Sequence, residues 1–169
     1  MIWIILFTLE IVISIILLSF SLSVFFGAPY FPSSRKRITE MIDMAKLKAG
    51  DRILELGSGD GRILFEIAKR GYDVVGVEIN LVMVIISNIR IFFSPYRNKI
   101  KVYWGNFWSF DASGFNTVFC YLFPITMDKI YEKLNKEMKA GSKIISNTFK
   151  SNNAKEVDKK GRVFVYFVE

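Results

Sequence analysis

Residues Ile53–Asn80 read ILELGSGDGRILFEIAKRGYDVVGVEIN. Arg52 to Leu56 has the length and apolar content of a short buried strand. Ile63, Leu64, Ile67 and Ala68 then recur at helical spacing, predicting a helix from Gly61 to Arg70 that Gly71 stops. Asp73 to Val77 reads as a second strand. Strand, glycine-rich turn, helix and strand make a βαβ unit, and such units build parallel sheets with right-handed crossovers.

Gly57, Gly59 and Gly61 let the backbone turn tightly and bring helix N–H groups up to a ligand. Glu78 closes the next strand, 23 residues after Glu55. A carboxylate at that place can accept both hydroxyl hydrogens of a ribose. The loop and the acid together point to a nucleoside-bearing cofactor. A dinucleotide fingerprint, G-x-G-x-x-G, would need glycine at position 62, where Arg62 stands. The spacing here is G-x-G-x-G, and Glu55 at the strand end suits a cationic ligand better than a pyrophosphate. S-adenosylmethionine, which carries an ammonium and a sulfonium, fits both departures.

The elements continue outward in the same alternation. Leu81 to Phe92 is a second helix with Asn80 as its cap, and Ile100 to Trp104 a third strand. Thr117 to Tyr121 is a fourth strand, and Thr126 to Met138 a helix with Met127, Ile130, Tyr131 and Leu134 inward. Lys143 to Asn147 and Arg162 to Val168 complete six strands. The charged stretch Lys155 to Lys160 reads as a solvated loop. The expected fold is α/β, a Rossmann-like, doubly wound, mostly parallel sheet with a pared-down edge. Upstream, Ile38, Met41, Ile42 and Ala45 mark a helix that Ser33 or Ser34 can cap.

Ile2 to Phe26 is an apolar run with one charge, Glu10. It is long enough to cross a hydrocarbon core of about 30 Å. Its uncharged start and its length favour an uncleaved transmembrane helix over a signal peptide. Arg35, Lys36 and Arg37 follow it and nothing basic precedes it, which places the rest of the chain on the cytoplasmic side. The expected organisation is a membrane anchor over 1–27, a linker over 28–34 and a catalytic domain over 35–169. Residues 35–169 hold all 23 basic residues and 15 of the 16 acids, a net +8. A domain this basic sits readily near anionic partners. The chain has no histidine and one cysteine, Cys120. That excludes Ser-His-Asp chemistry, His-based metal sites and an intrachain disulfide. Neither a metal nor a nucleic-acid partner is expected.

With ELGSGDGR at 55–62 and VGVEIN at 75–80, the chain resembles the class I, seven-strand, S-adenosylmethionine-dependent methyltransferases over roughly residues 30–169. The resemblance implies S-adenosyl-L-methionine as cofactor. The loop Gly57, Ser58, Gly59, Asp60 and Gly61 would hold its methionine part, Glu55 would orient its amino group and Glu78 would hold the ribose. That family's third-strand loop commonly ends in Gly-Asp near the adenine. Here Gly105-Asn106 puts an amide there, with Phe107 beside it. The fourth strand's end usually receives the acceptor, and many amine methyltransferases carry Asp or Asn with prolines there. This chain has Tyr121-Leu122-Phe123-Pro124, so Tyr121 is the candidate acceptor-channel residue.

An apolar span, a PYFPSS linker, a short helix and LGSGDGR together resemble the single-pass, membrane-anchored protein-lysine methyltransferases. Mitochondrial members of that family modify the adenine nucleotide translocase and the c-type rotor protein of ATP synthase. An Arg-rich transit segment is lacking, so the chain is read as a prokaryotic relative. The resemblance implies a lysine of a membrane protein as acceptor. A methyltransferase of a lipid or quinone-like small molecule, and a non-catalytic cofactor-binding scaffold, are the alternatives.

Overall fold

The computed structural model describes the backbone of residues 1–25 and 31–169, and the side chains of 1–21 and 31–169. The expected boundary between anchor and linker at residue 27, and the linker's residues 28–30, lie outside the described residues.

Among the described residues, seven strands form one sheet in the order β3-β2-β1-β4-β5-β7-β6. In chain order they are β1 (Ile53–Leu56), β2 (Val74–Glu78), β3 (Ile100–Trp104), β4 (Thr117–Cys120), β5 (Lys143–Asn147), β6 (Glu156–Lys160) and β7 (Val163–Phe167). The first five run parallel, and β7 runs antiparallel to both neighbours. Five helices accompany them: α1 (Ile2–Phe25), α2 (Arg35–Ala45), α3 (Arg62–Lys69), α4 (Leu81–Phe92) and α5 (Pro124–Glu137).

The sheet is covered on both faces because its central strands are apolar throughout. All four residues of β1 and of β4 are buried, which is the pattern of a parallel sheet between two helical layers. On one face Leu54, Leu56, Val118 and Ile144 pack with Met127, Ile130 and Leu134 of α5. On the other, Ile53, Val74, Phe119 and Ile145 pack with α2 and α3 through Met41, Ile42, Leu64 and Ile67. β1 lies between β2 and β4, so the winding reverses there, and doubly wound sheets hold their ligands outside the carboxyl ends of the strands at such a reversal.

Local signals set the ends of the helices. Ser34 caps α2 by accepting the Arg37 N–H, and Asn80 caps α4 by accepting that of Met83. Pro124 starts α5, two residues earlier than Thr126, because proline's fixed φ suits a first helical turn. Lys143 donates to the Ala45 and Lys46 carbonyls, closing the far end of α2.

The sequence predicts six strands and a charged loop over 155–160, and the structure corrects this. Glu156–Lys160 is the edge strand β6, and the sheet has seven strands. Its residues are mostly exposed, so it carries no apolar alternation to read. Charge is what an edge needs, since unpaired backbone there would recruit a foreign strand. No helix stands between β5 and β7 among the described residues, so the edge is reduced in its helices and not in its strands.

Gly76 of β2 shows how closely the layers approach. A Cβ there would lie 2.7 Å from Leu64 Cδ1 and 2.8 Å from the Ser58 side chain. Gly76→Ala is expected to destabilise the protein by about 1–3 kcal/mol through overpacking. A urea unfolding curve of the purified protein checks this.

Candidate functional site

The glycine loop leaves β1 and folds back over the end of β2. The N–H groups of Gly57 and Ser58 both donate to the Val77 carbonyl, at 2.9 and 3.1 Å. Gly57, Gly59 and Gly61 all have positive φ, at 72°, 54° and 78°. A side chain at any of the three would be strained. Space matters at Gly61, where a Cβ would strike Ser87 Oγ of α4, whereas one on Gly57 would point into open space. The loop is therefore packed tightly against α4 on one side and open on the other.

Glu78 holds this arrangement. Its Oε2 accepts the Gly59 N–H at 2.8 Å and its Oε1 accepts the Asn80 N–H at 2.7 Å. Each carboxylate oxygen keeps a further acceptor position, so the group can clasp the loop and still take hydroxyl hydrogens. Burial raises its pKa, while the N–H groups of Asn80, Gly59 and Ile79 pull it down.

Glu55 lies in β1 and is 4% exposed. Burial, then the nearby charges of Glu78 and Asp60, push its pKa well above the ordinary carboxylate range. Its Oε2 has no hydrogen-bond partner among the described residues. An orphaned buried carboxylate oxygen is costly unless something cationic meets it. The site thus fits a ligand that brings an ammonium to Glu55 and a diol to Glu78. S-adenosyl-L-methionine carries both, so the residues present fit that cofactor.

Asp60 turns the other way. Its carboxylate is bound by Arg62 at 2.9 and 3.0 Å and by Arg90 of α4 at 2.8 Å. Those two guanidiniums outweigh its partial burial and hold its pKa below the usual value. Its side chain fastens the loop to α3 and α4. Arg62, where a dinucleotide site would need glycine, also donates to the Ser33 carbonyl at 3.2 Å.

Asn106 follows β3. Its amide oxygen accepts the Trp108 N–H at 3.0 Å, so its NH2 is the group it can offer to a base. Phe107 is buried in the core with Leu56 and Val77, its ring 5.2 Å from that of Trp108.

Tyr121, just past β4, belongs to an aromatic cluster. Its ring stacks on Phe149 at 6.0 Å and meets Phe31 edge-on at 6.2 Å, and Phe123 packs on Phe149 at 5.6 Å. Phe149 follows Thr148, whose φ of 70° is an outlier for a β-branched residue. The strain is held by backbone, since the Thr148 N–H donates to the Arg162 carbonyl and the Phe149 N–H to that of Asn147.

Several contributors carry no motif. Ser33 accepts from Asn147 Nδ2 at 2.9 Å, tying the segment before α2 to the end of β5. Ser19 of α1 is buried and donates to Asn80 Oδ1 at 2.7 Å, at the residue whose own N–H Glu78 accepts. Ser19 could not be found from periodicity, because serine inside an apolar helix gives no distinguishing signal. Gly76 lies in plain view in VGVEIN, but its need for a missing side chain depends on Ser58 and Leu64 arriving from elsewhere.

The sequence profile of the ANTKMT methyltransferase domain matches residues 55–158. The chain belongs to that methyltransferase family. It is 33% identical over 136 residues to the protein-lysine N-methyltransferase of Saccharolobus islandicus (strain REY15A), covering 78% of this chain and 84% of that one. It is 22% identical over 122 residues to the adenine nucleotide translocase lysine N-methyltransferase of Mus musculus. That match covers 72% of this chain and 53% of the mouse protein, so the chain spans about half the mouse relative's length. In fold it is similar to an RNA methyltransferase from Salinibacter ruber solved with S-adenosyl-L-homocysteine. The TM-score is 0.78 at 22% identity, over 82% of this chain and 94% of that one. The seven-strand sheet of this family member is therefore that of the class I methyltransferases.

Glu78→Ala should weaken binding of S-adenosyl-L-methionine at least tenfold, since two charge-assisted hydrogen bonds at about 1.5–3 kcal/mol each are lost. Titration calorimetry on the purified full chain measures it. Affinity should also rise with pH. In the free protein Glu55 holds its proton to unusually high pH, a contribution to stability that is lost as pH climbs through the raised pKa. A bound ammonium favours the ionised form, so binding expels that proton and strengthens over the same window. Calorimetry in buffers of different ionisation enthalpy should record proton release on binding, and Glu55→Gln should reduce it.

Proposed function

We propose that the protein is a membrane-anchored, S-adenosyl-L-methionine-dependent protein-lysine N-methyltransferase. The observation that carries the reading is the aromatic cluster of Phe31, Tyr121, Phe123 and Phe149. It stands just past the carboxyl ends of β4 and β5, at the end of the sheet that also carries the glycine loop. The names of the relatives support lysine as the acceptor.

The cofactor, when bound, supplies a methyl group on a cationic sulfur. Glu78 would hold the ribose hydroxyls, the loop 57–61 the methionine part, Glu55 its ammonium, and Asn106 with Phe107 the adenine. A lysine amine titrates near 10.4 in water and must lose its proton before it can react. Burial among aromatic rings disfavours the charged form and lowers that pKa. A four-carbon stem laid against these rings would be desolvated along its length, and its nitrogen would be held in line with the methyl group. No histidine is required for this, and the chain has none.

α1 supports the anchoring. Among the described residues one helix is long and apolar enough to cross a membrane, over Ile2–Ser21. Ser19, near the end of that run, touches the domain, so an anchored α1 keeps the mouth close to the bilayer surface, within reach of a membrane protein's lysine. Arg35 and Lys36, exposed at the start of α2, favour the cytoplasmic side for the domain.

The exposed rings of Phe31 and Phe123 would also accept an apolar small molecule. Incubating full-length protein and labelled cofactor with membranes from cells lacking the protein separates the readings. Label is expected in a protein band, as methylated lysine after hydrolysis. Tyr121→Ala should lower that incorporation at least about tenfold while leaving cofactor affinity unchanged. Label found only in the lipid extract would overturn lysine as the acceptor.

A further inference from the structure

Helix α4 carries a face that the fold does not use. Met83, Val84, Ser87 and Ile91 turn inward. Ile85, Ile89, Phe92 and Phe93 are 50%, 55%, 67% and 80% exposed, and Ile86 is exposed beside them. Positions 85, 86, 89, 92 and 93 share one side of a helix, so these five side chains form a continuous apolar stripe. A surface helix ordinarily turns polar residues outward. Here the outward face is more apolar than a solvated helix permits, and α4 contains no acidic residue.

The position of α4 indicates what covers the stripe. Ser19 lies two residues before the end of the apolar run Ile2–Ser21. It hydrogen-bonds Asn80, the α4 cap, and its Oγ accepts the Val82 N–H at 3.5 Å. If α1 spans the bilayer, that pair of contacts fixes the first turn of α4 at the depth where the apolar run ends. That depth is the boundary between headgroups and acyl chains. An amphipathic helix at this boundary sinks its apolar face about 5–10 Å into the membrane. Arg97 stands exposed just beyond the stripe, where it can meet lipid phosphates.

We propose that α4 is a second membrane contact, lying in the interface with Ile85, Ile86, Ile89, Phe92 and Phe93 against the lipid of an anionic bilayer. The proposal rests on the reading of α1 as a span. α1 then acts as a tether, and α4 fixes the domain's orientation. Because α4 packs on the glycine loop, through Ser87 against Gly61, an oriented α4 gives the cofactor cradle a fixed height above the bilayer.

The test uses full-length protein reconstituted in vesicles of phosphatidylcholine and phosphatidylglycerol. Single cysteines are introduced as Ile89→Cys, Phe93→Cys, Ile11→Cys within α1, and Lys136→Cys on the far face of α5. The native Cys120 is buried and its thiol is pushed up to about 12, so it stays unlabelled. Each variant carries a polarity-sensitive fluorophore, quenched by phospholipid bearing a nitroxide near the headgroup. Quenching at positions 89 and 93 is expected to be at least twofold stronger than at position 136. Equal quenching at 89, 93 and 136, with position 11 quenched by a deep nitroxide, would overturn the α4 contact and leave the anchor standing. No quenching at position 11 would overturn the anchor, and the α4 contact with it. Labels at 89 and 93 that are shielded from aqueous iodide yet untouched by lipid nitroxide would show a protein surface on the stripe, and that too refutes the proposal.

Discussion

The Glu78 carboxylate is the constraint on which the site depends. One oxygen takes the Gly59 N–H and the other takes the Asn80 N–H. Three elements are joined there: the end of β2, the turn between β1 and α3, and the start of α4. Backbone donors in a buried place must find acceptors, and a carboxylate offers two strong acceptor oxygens at once. The glycines then follow as a requirement. With positive φ at 57, 59 and 61, the loop can bend far enough for Gly59 to reach Glu78.

The three acids around the loop show how burial assigns roles to chemically similar groups. Asp60 has two arginines and behaves as an ordinary ion-paired carboxylate. Glu78 has backbone donors that offset part of its desolvation. Glu55 retains a bare oxygen in the interior and bears the largest penalty. A protein seldom tolerates such a group without use. The strained backbone at Thr148 belongs to the same pattern, at a cost of about 1–3 kcal/mol for the position it gives Phe149. Strain and desolvation are concentrated toward the carboxyl ends of β1, β2 and β5.

How much of this the chain itself disclosed varied with the kind of signal. β1, β2, β4 and β5 were legible because central parallel strands are apolar on both faces and no surface requirement interferes. Asn80 as a cap and the acid at the tip of β2 were legible because their chemistry is local. β6 was not, since an edge strand is selected for charge and reads as loop. The direction of Asp60 was hidden because Arg90 arrives from 30 residues away. The aromatic cluster was half visible: Tyr121 could be named, but Phe31 and Phe149 come to it from distant parts of the chain.

The buried hydroxyl of Ser19 has a consequence for modularity. An apolar N-terminal helix is commonly regarded as an exchangeable appendage, to be cut at the first turn-rich stretch and replaced by another of equal length. Here α1 supplies a hydrogen-bond donor to Asn80, the residue whose own N–H Glu78 accepts, and Phe31 and Ser33 are fastened to Tyr121 and Asn147. A chimera that keeps everything from α2 onward but borrows another protein's helix would remove this partner of Asn80. It would retain the sheet and the glycine loop while losing part of what holds the loop's clasp in place. By its contacts, the portion of chain on which the site relies reaches back into the last turns of α1.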